Sequence, residues 1–268
     1  MVYVIGLDIG TTSTIGILIE LPARVVGLAS RPVTLSSPHH GWAEEDPLQW
    51  WENAQAITRE LLAIESTDPA NVGAVGVTGM LPAVVLLDEA GSLLRPSIQQ
   101  SDGRSGREVE AMRKERDEAA FIKKAGNGIN QQLVTAKLRW LEKHEPEVFS
   151  RIATVFGSYD FVNFKLTGKR AVEQNWALEA GFVDVSRGEL DEDLIAWAHL
   201  PAGAIPPKIA SHEVLGGLTE EAAALTGLRA GTPVVGGAAD MVASAFGAGV
   251  QDAGDVLLKF GGAVDILT

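Results

Sequence analysis

Residues 3–20 read YVIGLDIGTTSTIGILIE: an apolar run ending on a carboxylate, a tight turn of glycine and hydroxyls, and a second apolar run. Tyr3–Asp8 is predicted as a strand, Gly10–Ser13 as a turn, Thr14–Glu20 as the returning strand and Arg24–Ser30 as a third. Connections this short join antiparallel neighbours. The pattern then changes. Asp46-Pro47, with Gln49 three residues after the aspartate, predicts an N-cap, a first-turn proline and a capping-box partner. The helix they open should run from Pro47 to about Glu65, with Trp50, Ala54, Ile57, Leu61 and Leu62 on one stripe. Val72–Thr78 is a run of small apolar residues expected of a strand covered on both faces, and Val84–Asp88 is a further strand. Gly106–Arg116, Lys137–His144 and Ser158–Leu166 read as helices, as does Thr219–Thr226, closed by Gly227. Pro233–Val235 is a strand, Gly236-Gly237 a break, Ala239–Phe246 a helix, and Asp255–Phe260 opens another strand. Antiparallel strands followed by alternating strands and helices predict an α/β architecture with a mixed central sheet flanked by helices.

The chain has 268 residues, 46% hydrophobic and 21% charged, which allows one large domain or two smaller ones with a buried core. Its net charge of −13 opposes nucleic-acid binding, since a field of that sign repels phosphate backbones. With no cysteine there is no disulfide framework, no thiolate nucleophile and no Cys-ligated metal. No apolar run approaches the ~20 residues that span a bilayer, so no membrane partner is expected. The N-terminus lacks the basic and apolar pattern of an export signal, and the expected location is cytoplasmic. The chain stops at Asp265–Thr268 within an apolar run, which reads as a cut through a larger protein.

Four places carry candidate chemistry. Asp8, Gly10, Thr11, Thr12 and Ser13 form either an ordinary hairpin turn or a phosphate cradle of backbone N–H groups and hydroxyls. In the second case the carboxylate requires Mg2+ between it and the phosphates. At Gly236-Gly237-Ala238-Ala239-Asp240 the carboxylate enters the first turn of a helix. It is there either for the helix dipole or as a general base aimed at a cleft at the sheet end. Lys259-Phe260-Gly261-Gly262-Ala263 is a second cradle or a second turn. Asp102 either orients a polyol or pairs with Arg104 across its own turn. His39 and His40 are adjacent and point apart, which makes a poor metal pair. Trp42, Trp50 and Trp51 read as core or cleft wall, with one indole able to stack on a sugar. No nucleophile elbow, Walker loop or dinucleotide fingerprint is present, so any ATP chemistry has to use the hydroxyl-lined hairpin.

Taken in order, GLDIGTTST, PHHGWAEEDPLQWW, VGVTGMLPAVVLLDEAG, SDGR, AKLRWLEKHEPEVF, VVGGAADMVASAFGAG and LKFGGAVDIL resemble the FGGY carbohydrate kinases over essentially the whole chain. The resemblance implies an actin-like ATPase (ribonuclease H-like) fold, with residues 1–246 as the N-terminal sugar-binding domain and 247–268 as the start of a second, ATP-binding one. It implies ATP-dependent phosphorylation of a sugar or polyol hydroxyl, a ketose such as a pentulose, with ATP and Mg2+ as cofactors and room for a homodimer. Family members run to roughly twice this length, so the chain alone is expected to bind sugar weakly and turn over little. Asp240 then falls on the catalytic base, and Asp8 on the Mg2+–ATP site. Gly10, Thr11, Thr12 and Ser13 fall on the first phosphate loop and Gly261 and Gly262 on the second. Met80, Leu81, Pro82, Asp102 and Asp240 fall near the sugar. Three departures stand out. Ile15 occupies a position that commonly carries Lys or Arg, the second loop lacks hydroxyls, and Gly79-Met80-Leu81-Pro82 matches neither the xylulose-kinase nor the glycerol-kinase pattern. A non-catalytic actin-like sensor is the alternative that the first two departures suggest, and a chaperone-like ATPase is a weaker third.

Overall fold

The computed structural model describes residues 1–64, 67–260 and 264–267. Seven strands form the central sheet. They are β1 (Tyr3–Ile9), β2 (Ser13–Glu20), β3 (Arg24–Pro32), β4 (Val72–Gly79), β5 (Val214–Gly217), β6 (Pro233–Val235) and β7 (Ala238–Ala239). The order is β5-β6-β4-β1-β2-β3, with β7 also on β4. The first three strands pair antiparallel in the predicted meander. By contrast β1, β6 and β7 all run parallel to β4, so the sheet is mixed.

Helices pack against the sheet and beside it. These are α1 (Pro47–Ala63), α2 (Gly106–Glu115), α3 (Glu118–Ala125), α4 (Val134–His144), α5 (Ser158–Thr167), α6 (Gln174–Glu179), α7 (Glu220–Thr226) and α8 (Asp240–Gly247), with a few shorter turns between them. α1 packs on β2 and β3, and α5 on β4. The predicted stripe of α1 is buried, and Trp50 and Ile57 are fully enclosed in the main core cluster that also holds Leu7 and Leu18. Each such large apolar side chain contributes roughly 2–3 kcal/mol by leaving water. Asp46 caps α1, accepting from the Leu48 N–H at 2.9 Å. Gln49 does not complete the expected box: its Oε1 accepts from the Thr34 N–H at 2.9 Å and ties the helix to the chain leaving β3. A smaller cluster of Met112, Phe121, Leu133 and Trp197 holds the helical excursion of α2 and α3.

β4 departs from expectation. Val72, Val75 and Val77 are buried, whereas Gly73 is exposed and Ala74, Gly76 and Thr78 are half-buried, so one face of this strand is partly open. The same alternation in β1 buries Ile5, Leu7 and Ile9 and leaves Asp8 on the open side. Val85–Leu87 forms the expected extra strand and pairs with Thr154–Phe156. Leu257–Phe260 and Val264–Leu267 pair as a separate antiparallel hairpin. Gly261 and Gly262, read as a second phosphate loop, lie outside the described residues.

Candidate active site

The carboxyl ends of the parallel strands converge on one edge of the sheet, where ligands of open α/β sheets are held. Register sets the geometry. Asp8 is level with Thr78 of β4, and Thr78 is level with Ala238 of β7. With neighbouring strands roughly 4.8 Å apart, the backbones of Asp8 and Ala238 are about 10 Å apart, and Asp240 follows two residues on. The two acidic side chains separated by most of the sequence therefore share one end of one sheet. Thr78 Oγ1 donates to Asp8 Oδ1 at 2.8 Å, fixing that carboxylate on the strand end.

Beside it the first loop closes as predicted, the Gly10 N–H donating to Ser13 O at 3.1 Å. A side chain on Gly10 would lie 3.0 Å from that carbonyl and 3.8 Å from Asp8 Oδ2, so the bare backbone keeps the carboxylate and the loop close together. Thr11 Oγ1 approaches Met80 Sδ at 3.5 Å, and Thr12 is exposed. Ile15, paired with Asp8 on the other side, is 40% exposed, so the position commonly cationic in related sequences is an apolar surface here. A carboxylate at a strand end, followed by a loop carrying three hydroxyl side chains, suits a hard cation carrying phosphate oxygens.

Asp240 opens α8 as its first residue, and its Oδ1 accepts from the Met241 N–H at 2.6 Å. The break before it needs glycine: Gly237 has φ of +88°, and a Cβ there would stand 2.0 Å from Val77 O. Asn163 Nδ2 donates to Gly236 O at 2.8 Å and Asn175 Oδ1 accepts from the Ala239 N–H at 3.4 Å, so both sides of the break are held. Asp240 lines a cleft of about 620 Å³ with Leu81, Gln100, Ser101, Gln132 and Asn175. Carboxylate, amides and a hydroxyl around an apolar contact are the lining a polyhydroxylated molecule requires. Asp8 is not part of that lining; it lies further along the same sheet edge.

Three of the residues expected near the sugar do not line this cleft. Asp102 is 1% exposed, and its two oxygens accept from the Ala43 N–H at 2.6 Å and the Arg104 N–H at 3.0 Å, and from Arg104 Nε and Nη2 at 2.8 and 2.7 Å. The ion pair with Arg104 has formed, and Arg104 also bonds Glu44 Oε1 at 2.7 Å and lies 3.8 Å over the Trp42 ring. Glu44 binds Arg95 as well, and Arg95 reaches Glu145 at 3.1 Å. Trp42, Trp50 and Trp51 are thus occupied by Arg104 or by the core. Met80 and Pro82 are buried too, and of the GMLP turn it is Leu81 that reaches the cleft.

Behind the cleft lies a network the sequence did not reveal. Asp160 is enclosed at the start of α5, accepting from the Gly157 and Glu173 N–H groups at 3.0 and 2.8 Å. Burial raises its carboxyl to about 8, so it is held neutral. Glu173, also raised by burial, accepts from Tyr159 and Ser211 hydroxyls and from the Asn175 N–H, linking this acid to the residue that holds Ala239. Lys137 of α4 is fully buried, with Nζ 2.8 Å from Gln99 O and 3.4 Å from Pro82 O. One signal for it was legible: Lys137 sits on the same helical stripe as Val134, Leu138 and Leu141, where a lysine is out of place.

The family model for the N-terminal domain of the FGGY family of carbohydrate kinases matches residues 3–247. The chain belongs to that family. Its backbone superposes on the crystal structure of xylulose kinase from Rhodospirillum rubrum with a TM-score of 0.95 and 62% identity, covering 98% of this chain and 54% of that one. The L-xylulose/3-keto-L-gulonate kinase of Escherichia coli (strain K12) is 33% identical over 256 residues, 93% of this chain and 51% of that protein. The xylulose kinase of the same organism is 31% identical over 258 residues, 96% of this chain and 52% of that protein. The chain spans about half the length of these curated relatives. The FGGY membership accounts for the actin-like fold, and the GW-E-DP block is seen to build the start of α1 and part of the Arg104 network. Among the described residues, no helix is long and apolar enough to cross a membrane, and no group of three or more acidic or histidine side chains forms a metal cluster.

Proposed function

We propose that this chain is the sugar-binding part of a kinase that transfers the γ-phosphate of ATP to a hydroxyl of a ketose, a pentulose such as xylulose. Residues 1–246 form the sugar-binding domain, and 247–268 begin a second domain that completes the nucleotide site. The observation that carries this reading is the register Asp8–Thr78–Ala238, which puts a phosphate-type loop and a cleft-lining carboxylate on the same sheet edge. The xylulose specificities in the names of the similar proteins support the substrate class.

In this reading the sugar lies in the cleft against Leu81, with Gln100, Ser101, Gln132 and Asn175 bonding its hydroxyls. Asp240 accepts the proton of one hydroxyl as that oxygen attacks the γ-phosphorus in line and ADP leaves. Asp8 with the Gly10, Thr11, Thr12 and Ser13 loop holds Mg2+–ATP. Mg2+ held there would supply charge neutralisation at the phosphates. Backbone N–H groups of the loop bond phosphate oxygens where charge develops. Such catalysis is chiefly positioning, so closing the two halves on each other would matter more than any single side chain.

The test has two parts. Calorimetric titration of the 268-residue chain with D-xylulose, L-xylulose and glycerol should show pentulose binding. ADP release should appear when the chain is joined to the C-terminal half of the Rhodospirillum rubrum relative. A chimera that folds yet releases ADP with none of these sugars overturns the kinase reading. One whose Asp240→Asn form turns over unchanged removes Asp240 from its role.

A further inference from the structure

The two walls of the cleft diverge from a common bridge. The Val84 N–H donates to Ile98 O at 2.9 Å and the Ile98 N–H to Val84 O at 3.1 Å. Beyond this pair one segment runs through Pro82 to Leu81, and the other through Gln99 to Gln100 and Ser101. The first segment is pinned by side chains from three helices: Ser158 donates to Met80 O at 2.7 Å, Trp176 Nε1 to Ala83 O at 2.9 Å, and Lys137 to Pro82 O at 3.4 Å. Lys137 also reaches across to Gln99 O at 2.8 Å. Its two bonds span the gap between the walls at the residues immediately behind those that face the cleft.

A buried ammonium is a costly way to fill a core position. An apolar side chain of similar length would pack there without the desolvation of a charge. We propose that Lys137 is a positioning residue of the cleft, holding Leu81 and Gln100–Ser101 at the separation that receives the sugar. This inference rests on the cleft being the sugar site.

The surroundings set how the clamp responds to pH. Asp102 and Arg104 are the charged groups that act on Lys137, the first favouring its proton and the second opposing it, while the two carbonyls come from the walls. Burial dominates and lowers the ammonium from 10.5 to about 7. Protonated, it makes charge-assisted bonds; neutral, weaker ones. The cleft is therefore held tightest below neutrality and loosens above it. Fold stability runs the other way. Between about 7 and 10.5 the unfolded chain binds a proton that the folded chain lacks, so this group's contribution to stability rises with pH across that window. A merely structural lysine would move stability alone.

The experiment is an NMR titration of the intact chain labelled with 13C-lysine and 15N, in the absence and presence of D-xylulose. The Lys137 ε-carbon should titrate near 7, and the backbone amides of Leu81, Gln100 and Ser101 should follow the same midpoint. Amides that stay still while Lys137 titrates overturn the proposal, whether or not sugar binds. Saturating D-xylulose should raise the Lys137 midpoint, because coupling between two bound species is reciprocal. A midpoint unmoved by bound sugar also overturns it. Lys137→Met should fold, melt no lower than the parent and bind D-xylulose about tenfold more weakly, with the pH dependence gone. A folded variant with parental affinity at every pH refutes the clamp. If that variant does not fold, the titrations of the parent chain decide. If the parent chain binds no sugar, the kinase reading is what fails, and the amide titration still decides whether Lys137 sets the walls.

Discussion

Asp102 and Asp240 are both aspartates in glycine-punctuated segments, and both were expected to meet the sugar; their surroundings differ in every other respect. Asp102 is sealed, with backbone and guanidinium donors on both oxygens and Arg104 passing the charge on to Glu44, Arg95 and Glu145. Asp240 is half-exposed at a helix start and lines the cleft. A carboxylate surrounded by fixed donors is part of the scaffold. One left facing a cavity can take a proton from whatever enters. A second pair of acids shows the same contrast: Asp160 is enclosed and held neutral, whereas Asp8 stands on the open side of its strand with a threonine hydroxyl.

The sharpest way to break the comparison is to replace each aspartate by asparagine. Asp240→Asn in the chimera described above should lower turnover by about 10²–10⁴-fold while calorimetry finds pentulose binding largely intact. Asp102→Asn should act on stability instead. Removing one partner of a buried ion pair costs about 3–5 kcal/mol, so thermal melting of the chain should fall by roughly 10 °C. If Asp102→Asn melts normally and loses sugar binding instead, the division between scaffold and cleft is wrong.

Gly237→Ala probes the link between scaffold and site. Its side chain would collide with Val77 O, on top of roughly 1–3 kcal/mol for the left-handed backbone angle alone. Because the strain falls three residues before Asp240, sugar affinity should drop along with stability, which paired melting and calorimetry would reveal.

The smallest effect concerns the sealed side. Burial raises Glu45 from 4.5 to about 7, against the opposing bond from Trp50 Nε1. A raised folded-state value means the folded chain keeps a proton that the unfolded chain has lost between 4.5 and about 7. Stability from this group is therefore full below that window and is lost as pH rises through it. Glu45→Gln should flatten that slope in melting curves taken from acid to neutral pH, with a change in stability under about 1 kcal/mol at neutrality. An unchanged slope would show that Glu45 is ionised in the folded protein.

Much of the fold was legible because its signals are local. The meander of residues 3–32, the Asp46 cap of α1, the glycine that closes α7 and the break at Gly236-Gly237 each depend on a few adjacent side chains and the backbone angles they permit. Motif order pointed to the shared sheet edge of Asp8 and Asp240, and the parallel pairing of β1 and β7 with β4 produced it. Sequence alone could not say which face of β4 would be open, that Gln49 would bond Thr34 rather than its own helix end, or that Asp102 would be sealed while Gln100 and Ser101 reached the cleft. Nor could it say that Lys137 would end beneath two carbonyls from distant loops. Those outcomes depend on which donors and acceptors the packed chain brings within 3 Å of each other. A side chain's type fixes what it can bond; only its position among the other elements decides whether it meets water, a fixed partner or a ligand.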